Sequence, residues 1–290
     1  LPDGKWHIKG YFYNSEKGIP RAIIRNVWTS AQQQWDRNAF VQGNFTNTWQ
    51  LPSAQSQPRR SVSLQINAKY SNDYMHYLNN DSVSAFVDNR FWQQEVYVSA
   101  ANQWTVFQWW DIDISADYIW NKLDADLLRF AYPVRHTGMV AVASAWQYKW
   151  IKAQVSCLGS FIKDIVNNSQ FTAHHEKPRF TPMASLSYQP MLKEQLYLRG
   201  FYKQVFRMPT FNDLYYTEVG HSVLQPEESV QYDGGIEYTK EWRMPHTSSA
   251  MIGLTAKADG YFNQIKNKIR FHKFLKNQFL EFKTNYQVLL

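Results

Sequence analysis

Four polar residues at alternate positions, Asp111, Asp113, Ser115 and Asp117, form the pattern in this sequence that most suggests chemistry. Paired carboxylates can bind a cation or act together as general acid and base. The residues between them are apolar, and a period of two indicates a β-strand with one polar face. We interpret the three aspartates as part of a polar sheet face; a cation site or a catalytic carboxylate pair is the alternative.

A second charged group, Arg207, Asp213 and Glu227, lies in the kinked run Phe206–Glu228. Such residues could bind a ligand or an ion. Charged side chains in a long loop also form hydrogen bonds that keep the loop folded. We favour this structural role, and we expect Arg207 and Glu227 to lie near one another because they stand at the two ends of the run.

The same run contains residues that restrict its backbone. Pro209 and Pro226 fix φ near its two ends, and Gly220 permits a tight reversal between them. Its content of Phe, Leu and Tyr predicts that it folds back onto the protein rather than extending into solvent.

The remaining candidates for chemistry are weaker. His174 and His175 stand beside Glu176, but adjacent residues of an extended loop point apart and make poor ligands for one metal. Cys157 is the only cysteine, which excludes an internal disulfide. No nucleophile–base pair, glycine-rich phosphate loop or zinc-ligand spacing stands out, so the sequence predicts neither an enzyme nor a cofactor.

The composition is that of a polar chain with many aromatic residues, which make up 17% of its 290 residues. No stretch approaches the ~18 apolar residues of a membrane helix. Aromatic-lined sugar-binding proteins have this composition, and so do outer-membrane barrels, in which lipid-facing and lumen-facing residues alternate. The net charge of +7 comes from scattered bases, which argues against nucleic acid as a partner.

Alternation with a period of two recurs along most of the chain. In Val62–Tyr70, for example, apolar residues at even positions oppose Ser, Gln, Asn and Lys at odd positions. The pattern predicts about eleven strands, at residues 5–14, 39–50, 61–70, 92–100, 105–120, 138–147, 151–162, 180–189, 194–205, 229–240 and 249–262.

The connections between these strands alternate in length. Short ones are predicted around 51–60, 101–104, 148–150, 190–193 and 241–248, and long ones around 71–91, 121–137, 163–179 and 206–228. Short turns at one end and long loops at the other are typical of bacterial outer-membrane barrels. The sequence therefore predicts an all-β fold, an antiparallel up-and-down transmembrane β-barrel, with 206–228 as an extracellular loop.

Residues of this loop resemble the barrel region of TonB-dependent outer-membrane receptors, most closely those of the Bacteroidetes type. The family pattern is Arg-x-Pro-(Ser/Thr), an acidic residue before Leu-Tyr, and a later Leu-x-Pro-Glu. The matching residues are Arg207, Pro209, Thr210, Asp213, Leu214, Tyr215, Gly220, Leu224, Pro226, Glu227 and Ser229, with His221 at a position where Asn is usual. Glu16–Ala22 and Ala258–Ile269 look like an earlier loop and a later strand of the same family.

The resemblance implies a larger protein. Such receptors have a barrel of about 22 strands and an N-terminal plug domain. We therefore expect residues 1–269 to be part of a barrel, without the plug. Residues 270–290 lack clear alternation and are expected to be a divergent tail, frameshifted or truncated.

The resemblance also implies a function. The intact receptor would take up a scarce nutrient, of the cobalamin or ferric siderophore class, across the outer membrane. Its implied partners are TonB through the plug domain, outer-membrane lipid, the nutrient ligand and a surface lipoprotein. Asp111, Asp113 and Asp117 would face the barrel lumen. A porin or adhesin barrel and a soluble, aromatic-rich carbohydrate-binding β protein remain the alternatives.

Overall fold

The structure is a computed structural model that describes residues 4–19, 32–51, 60–80, 86–127, 129–168, 171, 173, 176–191, 195–215, 224–243, 251–269 and 285–289. Nearly all of these residues are in β-strands, and the described part of the chain contains a single short helix, Phe211–Tyr215. Within the same residues, no helix is long and apolar enough to span a membrane.

The described residues contain twelve strands in sequence order. Their bounds are β1 Lys5–Ile19, β2 Gln32–Leu51, β3 Arg60–Asn79, β4 Val87–Phe107, β5 Trp110–Ala125, β6 Pro133–Tyr148, β7 Ile151–Val166, β8 Arg179–Met191, β9 Gln195–Arg207, β10 Glu227–Arg243, β11 Met251–Lys268 and β12 Asn285–Leu289. Helix α1, Phe211–Tyr215, lies between β9 and β10.

The strands form one up-and-down sheet. Each strand pairs with the next one in the chain, in the order β1 to β12, and each described pairing is antiparallel. β1 and β12 stand at the two edges. The predicted fold class, an antiparallel up-and-down arrangement that makes up part of a barrel, is confirmed.

The sheet has a polar face and an apolar face, as the period of two requires. Asp111, Asp113 and Asp117 share the polar face, because they alternate along β5 with apolar residues that point the other way. On the apolar face, Ile114 is 37% exposed and Tyr118 is 44% exposed. Apolar side chains left this open in a sheet imply that something other than water covers the face.

The predicted turn at 101–104 is wrong. β4 continues through these residues to Phe107, and the chain reverses at Gln108–Trp109. Aromatic residues crowd this end of the hairpin, where the rings of Phe107 and Trp109 stack with centroids 5.4 Å apart. The alternation therefore does not mark the turn, which contains no Gly or Pro.

Three of the predicted long loops are too long. The strands extend well into 71–91, 121–137 and 163–179, so that β3 runs to Asn79 and β4 starts at Val87. The antiparallel ladder continues beyond the stretch in which apolar and polar residues alternate, and its outer part has polar residues on both faces. From β4 onward the connections still alternate in length: 108–109 and 149–150 are short, whereas 126–132, 167–178 and 208–226 are longer. Before β4 the alternation fails, because 52–59 is no shorter than 80–86.

The tail contains a strand that the sequence did not predict. β12, Asn285–Leu289, pairs with β11 opposite Asn263, Gln264 and Ile265. The rest of 270–290 lies outside the described residues, and the boundary at residue 269 stays a prediction.

The buried core lies at the end of the sheet where the longer connections meet. It is built from the ends of β4 and β5, the 126–132 connection and the segment around α1. Its members are Phe91, Leu123, Ala125, Phe130, Ala131, Phe211, Leu214, Tyr215 and Leu224. Leu123 and Ala125 alternate in phase with the three aspartates, so the core sits against the polar face.

Candidate functional site

The start of α1 is fixed by a reciprocal cap between Thr210 and Asp213. The Asp213 carboxylate accepts hydrogen bonds from the Thr210 backbone N–H and from its hydroxyl, both at 2.8 Å. The Asp213 backbone N–H donates to the Thr210 hydroxyl at 3.2 Å. This arrangement is a capping box, which satisfies donors that a helix start leaves without partners. Asp213 is therefore engaged in holding the helix.

One side of α1 is buried. Phe211 and Tyr215 are each 6% exposed and Leu214 is 2% exposed, while Asn212 on the opposite side is exposed. The helix follows β9 but packs against core residues at the ends of β4 and β5. The segment after β9 therefore folds back across the polar face.

A buried ion pair anchors the segment to the sheet. Arg135 on β6 donates from Nε and from one terminal nitrogen to the two oxygens of Asp164 on β7, both at 2.7 Å. Its other terminal nitrogen donates to the backbone carbonyl of Pro209 at 2.7 Å. Arg135 is 8% exposed and Asp164 is 1% exposed. We call this set of contacts the Arg135 clamp.

The clamp also includes an aromatic contact. The Arg135 guanidinium lies 5.0 Å from the ring centroid of Phe211, within cation–π range. Pro209 itself is fully buried. The guanidinium thus contacts two strands and the α1 segment at once, and a bidentate pair holds it in one orientation.

The Tyr215 phenol at the end of α1 lies close enough to Asp164 and Arg135 for both charges to affect it. Burial, together with the nearby Asp164 carboxylate, raises the pKa of the Tyr215 phenol to about 12. The Arg135 charge acts in the opposite direction but does not cancel the rise. The phenol therefore stays protonated at physiological pH.

Arg207 and Glu227 face each other in the β9–β10 register. Their side chains have other neighbours: the Arg207 guanidinium is 54% exposed and lies 3.9 Å from Asp213. One Glu227 oxygen accepts a hydrogen bond from the Ile269 backbone N–H at 3.3 Å. The close charged contact of this segment is made by Arg135 and Asp164 instead. Gly220 lies outside the described residues.

Two cavities adjoin on the polar face next to α1. The larger, of about 490 Å³, extends from β1 and β2 to Phe91 and Leu123. The smaller, of about 320 Å³, reaches Arg135 and Thr210. Gln93 on β4 and Asn212 on α1 line both of them. We refer to the two together as the α1 cavity.

The charged groups at this cavity are held by partners. Glu95 accepts from the Lys69 ammonium at 3.2 Å and from the Asn121 amide at 2.9 Å. Asn38 donates a short hydrogen bond to Asp73. Such a network lines the polar face without leaving its acids unpaired.

The three aspartates of β5 are not brought together with these residues. Asp111 accepts from the Thr105 hydroxyl at 2.8 Å near the turn at 108–109, and Asp117 accepts from the Tyr97 hydroxyl at 2.7 Å. Among the described residues, no group of three or more His, Cys, Asp or Glu side chains could hold a metal ion. His174 and His175 lie outside the described residues.

Sequence reasoning missed Arg135 and Asp164, which lay in segments predicted to be loops. The available signal was their opposite charge at positions that become direct partners once β6 and β7 are extended. Finding that signal requires the register of two strands, which composition and period do not supply.

Comparison with known families gives one match. The model of the TonB-dependent receptor-like β-barrel family matches residues 3–273, nearly the whole chain. No curated protein sequence matches the chain.

Solved structures with the same fold are distant in sequence. The hemophore receptor HasR of Serratia marcescens, solved with its hemophore HasA and heme, aligns with 11% identity and a TM-score of 0.55 over 98% of this chain and 52% of its own. The copper transporter OprC aligns with 12% identity and a TM-score of 0.57 over 92% and 50%. FpvA of P. aeruginosa, bound to heterologous pyoverdines, aligns with 13% identity and a TM-score of 0.55 over 93% and 45%. The chain spans about half the length of these proteins.

Proposed function

The chain belongs to the TonB-dependent receptor β-barrel family, and we propose that it forms part of an outer-membrane receptor that takes up a scarce nutrient. The energy would reach the receptor through TonB, by way of a plug domain elsewhere in the protein. The chain would contribute strands of the barrel wall and no bond-making or bond-breaking chemistry.

One observation carries the proposal: residues 208–215, the described first part of the β9–β10 segment, fold across the polar face beside the α1 cavity. The Arg135 clamp and the capping box give this loop a fixed position, which is the preorganisation that tight ligand binding requires. The segment thus supports capture of a ligand at the outer end of the barrel.

We propose that the polar face is the lumen wall and the apolar face contacts lipid. In this arrangement Asp111, Asp113 and Asp117 face the lumen, near the end of the sheet with short turns. Charged residues are tolerated there, whereas the lipid-facing side of a membrane barrel is apolar. The exposed apolar side chains, including Ile114 and Tyr118, would be covered by the bilayer.

For the nutrient, we propose the cobalamin or ferric siderophore class. Heme, copper and pyoverdines are named with the structurally similar proteins HasR, OprC and FpvA, which differ among themselves in this respect. A surface lipoprotein that closes the outer end is a further proposed partner.

Uptake measurements test the proposal. The whole receptor that contains this chain is expressed in two Gram-negative strains, one with TonB and one without, and uptake of radiolabelled corrinoid and of ⁵⁵Fe-siderophores is compared. We expect uptake of at least one nutrient only in the strain with TonB. Equal uptake in both strains would indicate a passive porin, and a receptor recovered from the soluble fraction would contradict the outer-membrane assignment.

A further inference from the structure

The α1 cavity has the size of a small-molecule site. Its two parts have volumes of about 490 and 320 Å³ and meet at Gln93 and Asn212. Sites for small ligands typically measure about 300–1,000 Å³ and combine apolar walls with a few polar groups. Phe91 and Leu123 supply part of the apolar wall of the larger cavity.

The charges in its described lining are already compensated. Asp36 pairs with Lys17 at 2.6 Å, and Glu95 pairs with Lys69 at 3.2 Å. The Arg135 guanidinium donates hydrogen bonds to Asp164 and to the Pro209 carbonyl. A multiply charged anion placed here would have to break one of these pairs or lie next to three carboxylates, because the lining also includes Asp73.

Arg37 is the other cation in the described part of the lining, and its guanidinium lies 5.8 Å from the ring centroid of Tyr74. It therefore has an aromatic partner, and along β2 it alternates with Asp36 and Asn38, so its guanidinium lies on the opposite face of the sheet. The described lining thus has no cluster of open cations of the kind that binds a polyanion.

Neutral hydrogen-bonding groups remain. For the side-chain amides of Gln93 and Asn212, the described part of the chain shows no hydrogen-bond partner, and each amide can both donate and accept. Tyr11 and Tyr13 are 44% and 46% exposed and line the larger cavity. Phenol rings offer an apolar surface for stacking and a hydroxyl at the edge.

We propose that the α1 cavity binds an uncharged ligand rich in amide or hydroxyl groups, recognised by Gln93 and Asn212 and flanked by Tyr11 and Tyr13. This inference rests on the proposed uptake function and narrows it, since it favours neutral nutrients over polyanionic iron complexes. A corrinoid, with its side-chain amides, and an oligosaccharide, with its hydroxyls, share the required chemistry.

Binding to the purified whole receptor tests the inference. Calorimetric titrations use three probes in detergent: cyanocobalamin, maltoheptaose and a ferric tris-catecholate trianion. We expect one of the two neutral probes to bind saturably and the trianion not to bind; which neutral probe binds identifies the amide or the hydroxyl source. Binding of the trianion alone, or of none of the three, overturns the inference.

Variants locate the site. Gln93→Ala and Asn212→Ala each remove one hydrogen-bonding group, and a net hydrogen bond corresponds to roughly a 3- to 10-fold loss of affinity. Gln103→Ala is the matched control, because Gln103 lies on the same strand and face, ten residues nearer the short turn. Asn212 is exposed, so its replacement leaves the fold intact. Equal affinities for the three variants overturn the assignment of the site.

The two levels of proposal fail in different ways. TonB-dependent uptake of an anionic iron complex, with no binding of neutral probes, overturns only the inference about ligand charge. Uptake that does not depend on TonB overturns the receptor function itself.

Discussion

Replacing Arg135 with methionine should release the β9–β10 segment. The substitution leaves Asp164, which is 1% exposed, without its partner, and the Pro209 carbonyl loses a donor. Breaking a buried ion pair in this way costs about 3–5 kcal/mol. We therefore expect the free energy of opening of this segment to fall by that amount in Arg135→Met.

Hydrogen exchange measured by mass spectrometry reports this opening, because the amide of Leu214 is bonded to the Thr210 carbonyl at 3.1 Å within α1. A loss of 3–5 kcal/mol corresponds to exchange roughly 10²- to 5 × 10³-fold faster in the α1 peptide. The matched control is Arg207→Met, since Arg207 is 54% exposed and, among the described residues, the carboxylate oxygen it approaches, on Asp213, is 3.9 Å away. Exposed pairs contribute about 0–1 kcal/mol, so this variant should exchange almost as the parent does.

The double variant Arg135→Met with Asp164→Leu separates lost attraction from an uncompensated charge. Replacing both partners of a buried pair by apolar residues is often neutral. The Pro209 carbonyl still lacks its donor, which costs about 1–3 kcal/mol. We expect the double variant to exchange more slowly than Arg135→Met alone. Additive effects of the two substitutions, or equal exchange in Arg135→Met and Arg207→Met, would refute the reasoning.

Three further outcomes are expected. Ile114→Arg should reduce the amount of folded receptor in the outer membrane far more than Ser115→Arg, because a charge facing lipid near mid-membrane costs about 2–4 kcal/mol and a lumen charge costs little; equal amounts on immunoblots of membrane fractions would show that the two faces are assigned wrongly. Thr210→Ala removes the capping box at about 0.5–2 kcal/mol, so exchange in the α1 peptide should be faster than in the parent but slower than in Arg135→Met, and unchanged exchange would contradict the role of the cap. The difference in ultraviolet absorbance between the parent and Tyr215→Phe should titrate near pH 12, the raised pKa of Tyr215. Since the phenol in the opened segment has the ordinary pKa of about 10, the closed segment is expected to lose stability as pH rises from 10 to 12. Titration near pH 10 would show that the phenol is not buried.

Much of the fold could be predicted because a sheet with one apolar and one polar face requires apolar and polar residues to alternate with a period of two. Every predicted strand overlaps an observed one. The strand ends could not be predicted in the same way, since β3 and β4 continue as a hydrogen-bonded ladder where apolar and polar residues no longer alternate. Tyr74 and Met75 are adjacent there, and so are Tyr77 and Leu78. A pattern based on hydrophobicity does not predict a strand there, and the 108–109 turn contains no Gly or Pro that would mark it.

The candidate site also has a part that the sequence could suggest and a part that it could not. The capping box of Thr210 and Asp213 is local in sequence, and both residues belong to the motif that pointed to this segment. The Arg135 clamp is non-local: its carboxylate is 29 residues away and its carbonyl is 74 residues away. Only the register of β6 with β7 and the return of the chain after β9 bring these groups together. The sequence therefore pointed to Arg207, whereas Arg135 makes the buried contacts.

The length of the strands has a consequence for how this surface can change over time. β4 has 21 residues, and at ~3.3 Å per residue with a tilt of ~45° such a strand rises about 50 Å, roughly twice the ~25 Å apolar band of a bilayer. A strand of this length would continue as ladder rather than as loop well outside the apolar band. A ladder accepts substitutions, but inserting one residue turns every following side chain to the opposite face unless a β-bulge absorbs the extra residue. Single-residue length changes are therefore expected in the connections or at β-bulges, such as the register shift between Thr105 and Phe107.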